Sequence, residues 1–174
     1  EDPPVPVEVD PADVATDGPL AAAYEAVAVT VLNVEVTDIE PPLGEGDSEP
    51  DNEFVLDEAL RVNDYFYLIA PFPQVGDRFS SLAGVLRFAN ENMKLEPRGE
   101  TDLPISLAAI EPDLVYIREG QSGTAPPLEV RLTRQALEDT VVDLTPGSGA
   151  IDVPRSVTIQ AGELRAQVPV TGNT

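Results

Sequence analysis

The chain has 174 residues, 42% of them hydrophobic, and a formal net charge of −22 at pH 7. That apolar content supports real cores and argues against wholesale disorder, and the absence of Cys and His removes disulfides, thiol catalysis and the imidazole base or metal ligand. The charge disfavours nucleic acid and anionic membrane surfaces as partners, because affinity for phosphate comes from clustered Lys and Arg.

Residues 1–20 are rich in Pro and Asp and read as an extended tether, with one helical turn expected over residues 11–14. Residues 24–38 are the clearest strand. Val27, Val29 and Val31 share one parity, then Leu32, Val34 and Val36 take the other, so a bulge or a sharp coil near Val31 is expected. Residues 39–53 are a Pro-, Gly- and acid-rich loop. Strands are predicted over 54–56, 60–69, 79–88 and 93–97, with residues 71–77 as a turn. Gly84 inside the 79–88 strand suggests a bend or a close backbone approach. About five strands, with a long first and a short last one, predict a compact antiparallel barrel over residues 21–104.

Residues 99–112 read as a linker plus an opening strand. Five further short strands follow over 114–117, 128–133, 140–144, 156–159 and 164–170. Their spacing and the Gly/Pro turns between them predict a β-sandwich over residues 105–174. The expected fold class is therefore all-β. No window of 18 apolar residues exists, so no membrane span is expected, and Glu1 with no leader after it reads as the start of a processed or excised piece.

The run Asp57–Asp64 (DEALRVND), VGDRF at Val75–Phe79, GVLRF at Gly84–Phe88 and KLEPR from Lys94 together resemble an OB-fold-like module of secreted bacterial proteins. Some of those proteins carry endonuclease/exonuclease or lamin-tail domains. The stretch VYIREGQSGTAPPLEVRLTR and the ending SVTIQAGELRAQVPVTG resemble bacterial immunoglobulin-like or Calx-β-like repeats. These resemblances imply an OB-like antiparallel barrel followed by an immunoglobulin-like β-sandwich, and they carry no catalytic residues over. The second resemblance implies one or two more strands than the chain supplies. A shortened chain, a miscounted strand, or a strand donated by a neighbouring chain all account for that.

The charge is uneven. Residues 1–112 carry 24 acidic and 5 basic side chains, against 8 and 5 in residues 113–174. Lys94 is the one lysine beside nine arginines, a pattern that fits either a salt-rich habitat, where the Debye length shrinks to about 3 Å near 1 M, or a merely acidic exported protein. In the acidic loop, Glu45, Asp47, Glu49, Asp51 and Glu53 alternate. Asp47, Glu49, Asp51 and Glu53 are candidate ligands for a weak cation site of the Ca²⁺ kind, with a solvated acidic loop as the plain alternative. Asp57, Glu58 and Asp64 near Arg61 read as structural ion pairing rather than as a hydrolytic carboxylate pair. Tyr65 and Tyr67 share one face, opposite Phe66 and Phe88, which have core parity. With Arg61 and Arg87 they form a candidate ligand face.

No nucleophile-and-base set and no phosphate loop is present. The expected function is a non-enzymatic structural or interaction segment of an exported bacterial surface or extracellular protein, an adhesin-like spacer or filament subunit. Association through exposed β-edges with a protein partner or with itself belongs to that reading. The alternative is a nucleic-acid- or glycan-binding accessory module of a secreted nuclease or other hydrolase.

Overall fold

The computed structural model describes residues 5–48 and 52–174. The chain divides into two compact units, the first running to Pro104 and the second covering Ile105–Thr174. Both are all-β.

The first unit opens with β1 (Val7–Glu8), α1 (Pro11–Val14) and α2 (Ala21–Tyr24). The helical turn over Pro11–Val14 forms for a local reason. Asp10 caps it by accepting from the Ala12 N–H at 2.9 Å, and Pro11 sits at the first helical position, where its missing N–H costs nothing. The expected tether to residue 20 is corrected here. Val7 and Glu8 pair in parallel with Val29 and Thr30, and Val14 and Ala21 join the barrel core. Proline forbids a long helix but not an edge strand and a single capped turn.

The barrel proper consists of β2 (Ala28–Asp38), β3 (Phe54–Leu56), β4 (Leu60–Val62), β5 (Arg78–Ala89) and β6 (Asn92–Glu96). The strands neighbour one another in the order β2, β3, β4, β6, β5, and β5 pairs back onto β2 to close the ring. All pairings in the ring are antiparallel except β4 with β6.

The parity change in β2 is a sharp coil. Val29 and Val31 are buried, Leu32 and Asn33 turn outward, and Val34 and Val36 are buried again. Asn33 has φ of 54°, a left-handed conformation that Asn tolerates. The pairing with β5 runs through Val31–Leu82, Leu32–Ser81 and Val34–Phe79 without a register shift, so β5 changes parity alongside β2. Both strands coil together, which closes a small barrel without an unpaired residue. Gly84 lies where β5 is hemmed in by β6, and a Cβ there would sit 2.6 Å from the Glu96 carbonyl oxygen.

Phe54 stands at the centre of the core, stacked on Phe79 at 6.2 Å and edge-on to Phe72 at 5.9 Å. Around it Leu56, Leu60, Val62, Leu86 and Leu95 are fully buried. Each such side chain contributes about 1.5–3 kcal/mol relative to an exposed one.

The predicted strand over 60–69 is also corrected. β4 ends at Val62, because the Asn63 side chain accepts the Tyr65 N–H at 2.8 Å and turns the chain. Residues 63–77 then form a connection without strand structure. Glu100–Asp102 make a short 3₁₀ turn after β6.

The second unit contains β7 (Leu107–Glu111), β8 (Glu129–Leu132), β9 (Thr140–Asp143), β10 (Ile151–Asp152), β11 (Ser156–Ile159), β12 (Arg165–Gln167) and β13 (Thr171–Gly172). They make three antiparallel sheets: β12–β8–β7, β9–β11 and β10–β13. Val130, Leu132, Val157, Ile159, Val168 and Val170 form the core between them. The predicted strand over 114–117 reduces to one bridge, Tyr116 with Ala125.

Candidate functional site

Adjacent residues of a strand face opposite ways, so the residues beside Leu60, Val62, Leu86 and Leu95 lie on the outer face of the barrel. The register there puts Arg61 of β4 beside Lys94 of β6, and Lys94 beside Arg87 of β5. Three of the first unit's five basic side chains therefore stand in one row across three strands. Three like charges side by side require counter-charges, and Glu53, Asp47 and Glu96 supply them.

Lys94 is the hub. Its Nζ contacts Glu53 Oε1 and lies 3.2 Å from Asp47 Oδ2 and 3.4 Å from Asp47 Oδ1. Glu53 also accepts from Arg61 Nη1 at 3.0 Å and from Asn63 Nδ2 at 2.9 Å. The side chains of Lys94 and Glu53 are 2% and 0% exposed, so the centre of the cluster is shielded from solvent, with Asp47 half-buried at its edge.

The loop of residues 41–48 forms its lid. Arg61 Nη2 donates to the Pro42 carbonyl at 2.8 Å, and Asn90 Nδ2, from the β5–β6 turn, donates to the Glu45 carbonyl at 3.0 Å. The Gly44 N–H donates to Asp47 Oδ2 at 3.0 Å. Gly44 has no alternative residue, since a Cβ there would lie 1.9 Å from the Asn90 carbonyl oxygen.

The other end of the row is open. Arg87 Nη1 reaches Glu96 Oε1 at 3.3 Å, and its guanidinium lies 4.2 Å from the centre of the Tyr65 ring, a cation–π contact. Tyr65 packs edge-on to Phe66 at 5.0 Å. Tyr65, Phe66 and Phe88 are all exposed. Beneath them Glu96 is fully buried, and its Oε2 has no hydrogen-bond partner among the described residues. Burial pushes the Glu96 carboxyl above its ordinary range, and the Arg87 hydrogen bond and charge only partly oppose this.

Asp47 and Glu53 of the expected cation site do converge, but the cation they hold is the chain's own Lys94 ammonium. Glu49 and Asp51 lie outside the described residues. Among the described residues, no group of three or more His, Cys, Asp or Glu side chains is arranged to hold a metal ion. Of the expected ligand face, Tyr65 and Arg87 stand together at the surface. Arg61 is turned under the lid instead, and Tyr67 packs against the barrel core. Phe66 and Phe88, expected in the core, are exposed. Phe66 lies past the end of β4, and Phe88 is the last residue but one of β5, opposite Met93, where its side chain is exposed.

Arg61 pairs with Glu53 rather than with Asp57, Glu58 or Asp64. Asp57 accepts the Glu35 N–H, and Asp64 accepts from Asn52. Sequence reasoning missed Lys94 as the hub and Glu96 as a buried acid. The available signal was Lys94 and Glu96 alternating with the apolar Met93 and Leu95 in β6.

A shallow depression of about 360 Å³ lies beside this site, lined by Thr37, Asp38, Pro41, Pro42, Val55, Glu58, Ala59 and Arg61. It holds acids but no nucleophile with a base beside it. No family model, curated protein or solved structure matches the chain. No helix among the described residues is long and apolar enough to cross a membrane.

Proposed function

We propose that the chain is a non-enzymatic structural and interaction segment of an exported bacterial surface or extracellular protein. The observation that carries this reading is where the charged groups of the barrel are used. Lys94, Glu53, Asp47 and Arg61 bind one another under a lid, so the groups best placed for chemistry brace the fold. The net charge of −22 leaves the exterior predominantly acidic, which favours solubility and a basic or cationic partner over nucleic acid.

An OB-like barrel fits the strand order of the first unit, in which the third strand lies parallel to the last and the fourth closes on the first. An immunoglobulin-like sandwich for the second unit is supported by its short antiparallel strands around one apolar core and by the sequence resemblance. The test is surface accessibility on the source cells. An antibody raised against the chain is expected to label intact cells and their medium. Labelling that requires permeabilisation, or turnover of any hydrolase substrate by the purified chain, overturns the reading.

A second reading is favoured by the Tyr65–Phe66–Arg87 patch: a ligand-binding accessory module. Exposed rings beside a guanidinium offer a stacking surface to a base or a sugar. On this reading, fluorescence anisotropy with single-stranded oligonucleotides or labelled oligosaccharides gives binding that a Tyr65→Ala, Phe66→Ala variant loses. Equal signals from the variant and the parent chain dismiss the patch.

A further inference from the structure

We propose that Lys94 and Asp47 are joined by an intramolecular isopeptide bond, with Glu53 carrying the proton. The inference stands apart from the proposed function and rests on the identity of one residue. Nine of the ten basic residues are Arg, the residue better suited to buried ion pairs with carboxylates. The exception is the one cation whose Nζ, shielded from solvent, faces two carboxylates. A guanidinium is no nucleophile, whereas a lysine side chain supplies an amine that can form a covalent bond once a neighbouring group accepts its proton.

The surrounding groups fit the reaction. The Asp47 oxygens lie 3.2 and 3.4 Å from Nζ, which brings the Asp47 carboxyl within attacking reach. The Gly44 N–H donates to Asp47 Oδ2, where negative charge develops as the amine adds. Glu53 Oε1 touches Nζ and is held by Asn63.

In the reaction the Lys94 ammonium passes one proton to Asp47 Oδ1, the freed amine attacks the neutral Asp47 carboxyl at Cγ, and Glu53 takes a second proton from Nζ. The Nζ–Cγ bond forms and the Cγ–Oδ1 bond breaks. Oδ1 leaves as water, carrying the proton it received first and the one held by Glu53. Both protons of the water come from the ammonium, so no co-reactant is needed, and Glu53 ends as a carboxylate. Charge balances before and after. Lys94 and Arg61 face Asp47 and Glu53 at the start, and Arg61 faces Glu53 at the end. Condensation replaces a buried ammonium and a half-buried carboxylate with a neutral amide, which removes the desolvation cost of the Lys94 charge. Fixed proximity supplies the effective concentration that amide formation in water lacks.

The test is the intact mass of the full chain, purified and shown to be folded by circular dichroism, followed by peptide mapping. The expected mass is lower than that of the sequence by one water, with a branched peptide joining the segments that contain Asp47 and Lys94. Lys94→Arg, Asp47→Ala and Glu53→Gln are each expected to restore the full mass. A folded parent chain at full sequence mass overturns the proposal without reference to the variants. So does a loss of water mapped to a linear peptide, as from cyclised Glu1 or a succinimide at Asp47, or to a Lys94–Glu53 linkage.

Discussion

Glu53, Glu96 and Asp102, three of the four buried carboxylates among the first unit's described residues, show how much the partner matters once water is excluded. Asp102 is buried, which raises its pKa, but it accepts two bonds from the Arg98 guanidinium, both at 2.7 Å, and one from the Arg98 N–H at 2.9 Å. The balance holds Asp102 below its ordinary value. A carboxyl lowered in the fold stabilises above its unfolded pKa, and that support is lost as pH falls through the native value. Asp102→Asn is therefore expected to lower the urea midpoint at pH 7 and to narrow the gap to the parent chain at pH 3.

Glu96 is the opposite case. Its carboxyl is raised, so the native state binds the proton more tightly than the unfolded chain does. Stability is gained as pH falls from the raised native value towards the ordinary carboxyl value of 4.5. Glu96→Gln is expected to match or exceed the parent chain at pH 7 and to lose that gain on acidification, as read by urea denaturation at pH 7 and pH 5. Glu53 has its oxygens taken up by Lys94, Arg61 and Asn63. Glu53→Ala leaves buried cationic groups short of a counter-charge and is expected to cost about 3–5 kcal/mol in the same assay.

At the scale of elements, the lid and the β5–β6 turn act together. Asn90 and Glu91 form that turn with φ of 54° and 62°, and Asn90 then reaches the lid through its side chain. Gly44 is where the two backbones come closest. Gly44→Ala is expected to lift the lid and expose Lys94, which hydrogen exchange across residues 41–48 and faster acylation of Lys94 by an amine-reactive reagent would register. In a protein with the isopeptide bond intact, the same variant is expected to show the hydrogen-exchange change without the acylation.

The parity change in β2 was legible because Val31 and Leu32 are both apolar and adjacent. Its counterpart in β5 was hidden, since Leu82, Gly84, Leu86 and Phe88 alternate cleanly and mask the step between Phe79 and Leu82. The end of β4 was also hidden. Tyr65 to Ile69 continue an apolar pattern, and the hydrogen bond that stops the strand belongs to Asn63.

At the scale of the molecule, charge is the governing quantity. Most of the net −22 falls in residues 1–112, so self-repulsion acts mainly on the first unit. Raising NaCl from about 0.05 to about 1 M shortens the Debye length from roughly 14 to roughly 3 Å and screens that repulsion. Thermal melts are expected to shift upward with salt, and more for a probe in the first unit than for one in the second. A downward shift would mean that screening of internal pairs such as Arg98–Asp102 outweighs relief of the surface.

By itself the sequence determined the all-β class, the long coiled first strand, the capped turn at Pro11 and the close approach at Gly84. The first three depend on neighbours within a few residues, through period-two burial and fixed proline φ, and Gly84 is marked by its missing Cβ, although the backbone it admits is that of Glu96 in the next strand. Only the tertiary structure decided that Lys94 gathers Asp47 and Glu53, that Arg61 turns under the lid while Arg87 meets Tyr65, and that Val14 belongs to the barrel core. Those contacts join residues 19 to 47 positions apart, or segments brought together only when the barrel closes. Chain spacing carries no trace of such contacts, because cross-strand register assembles them.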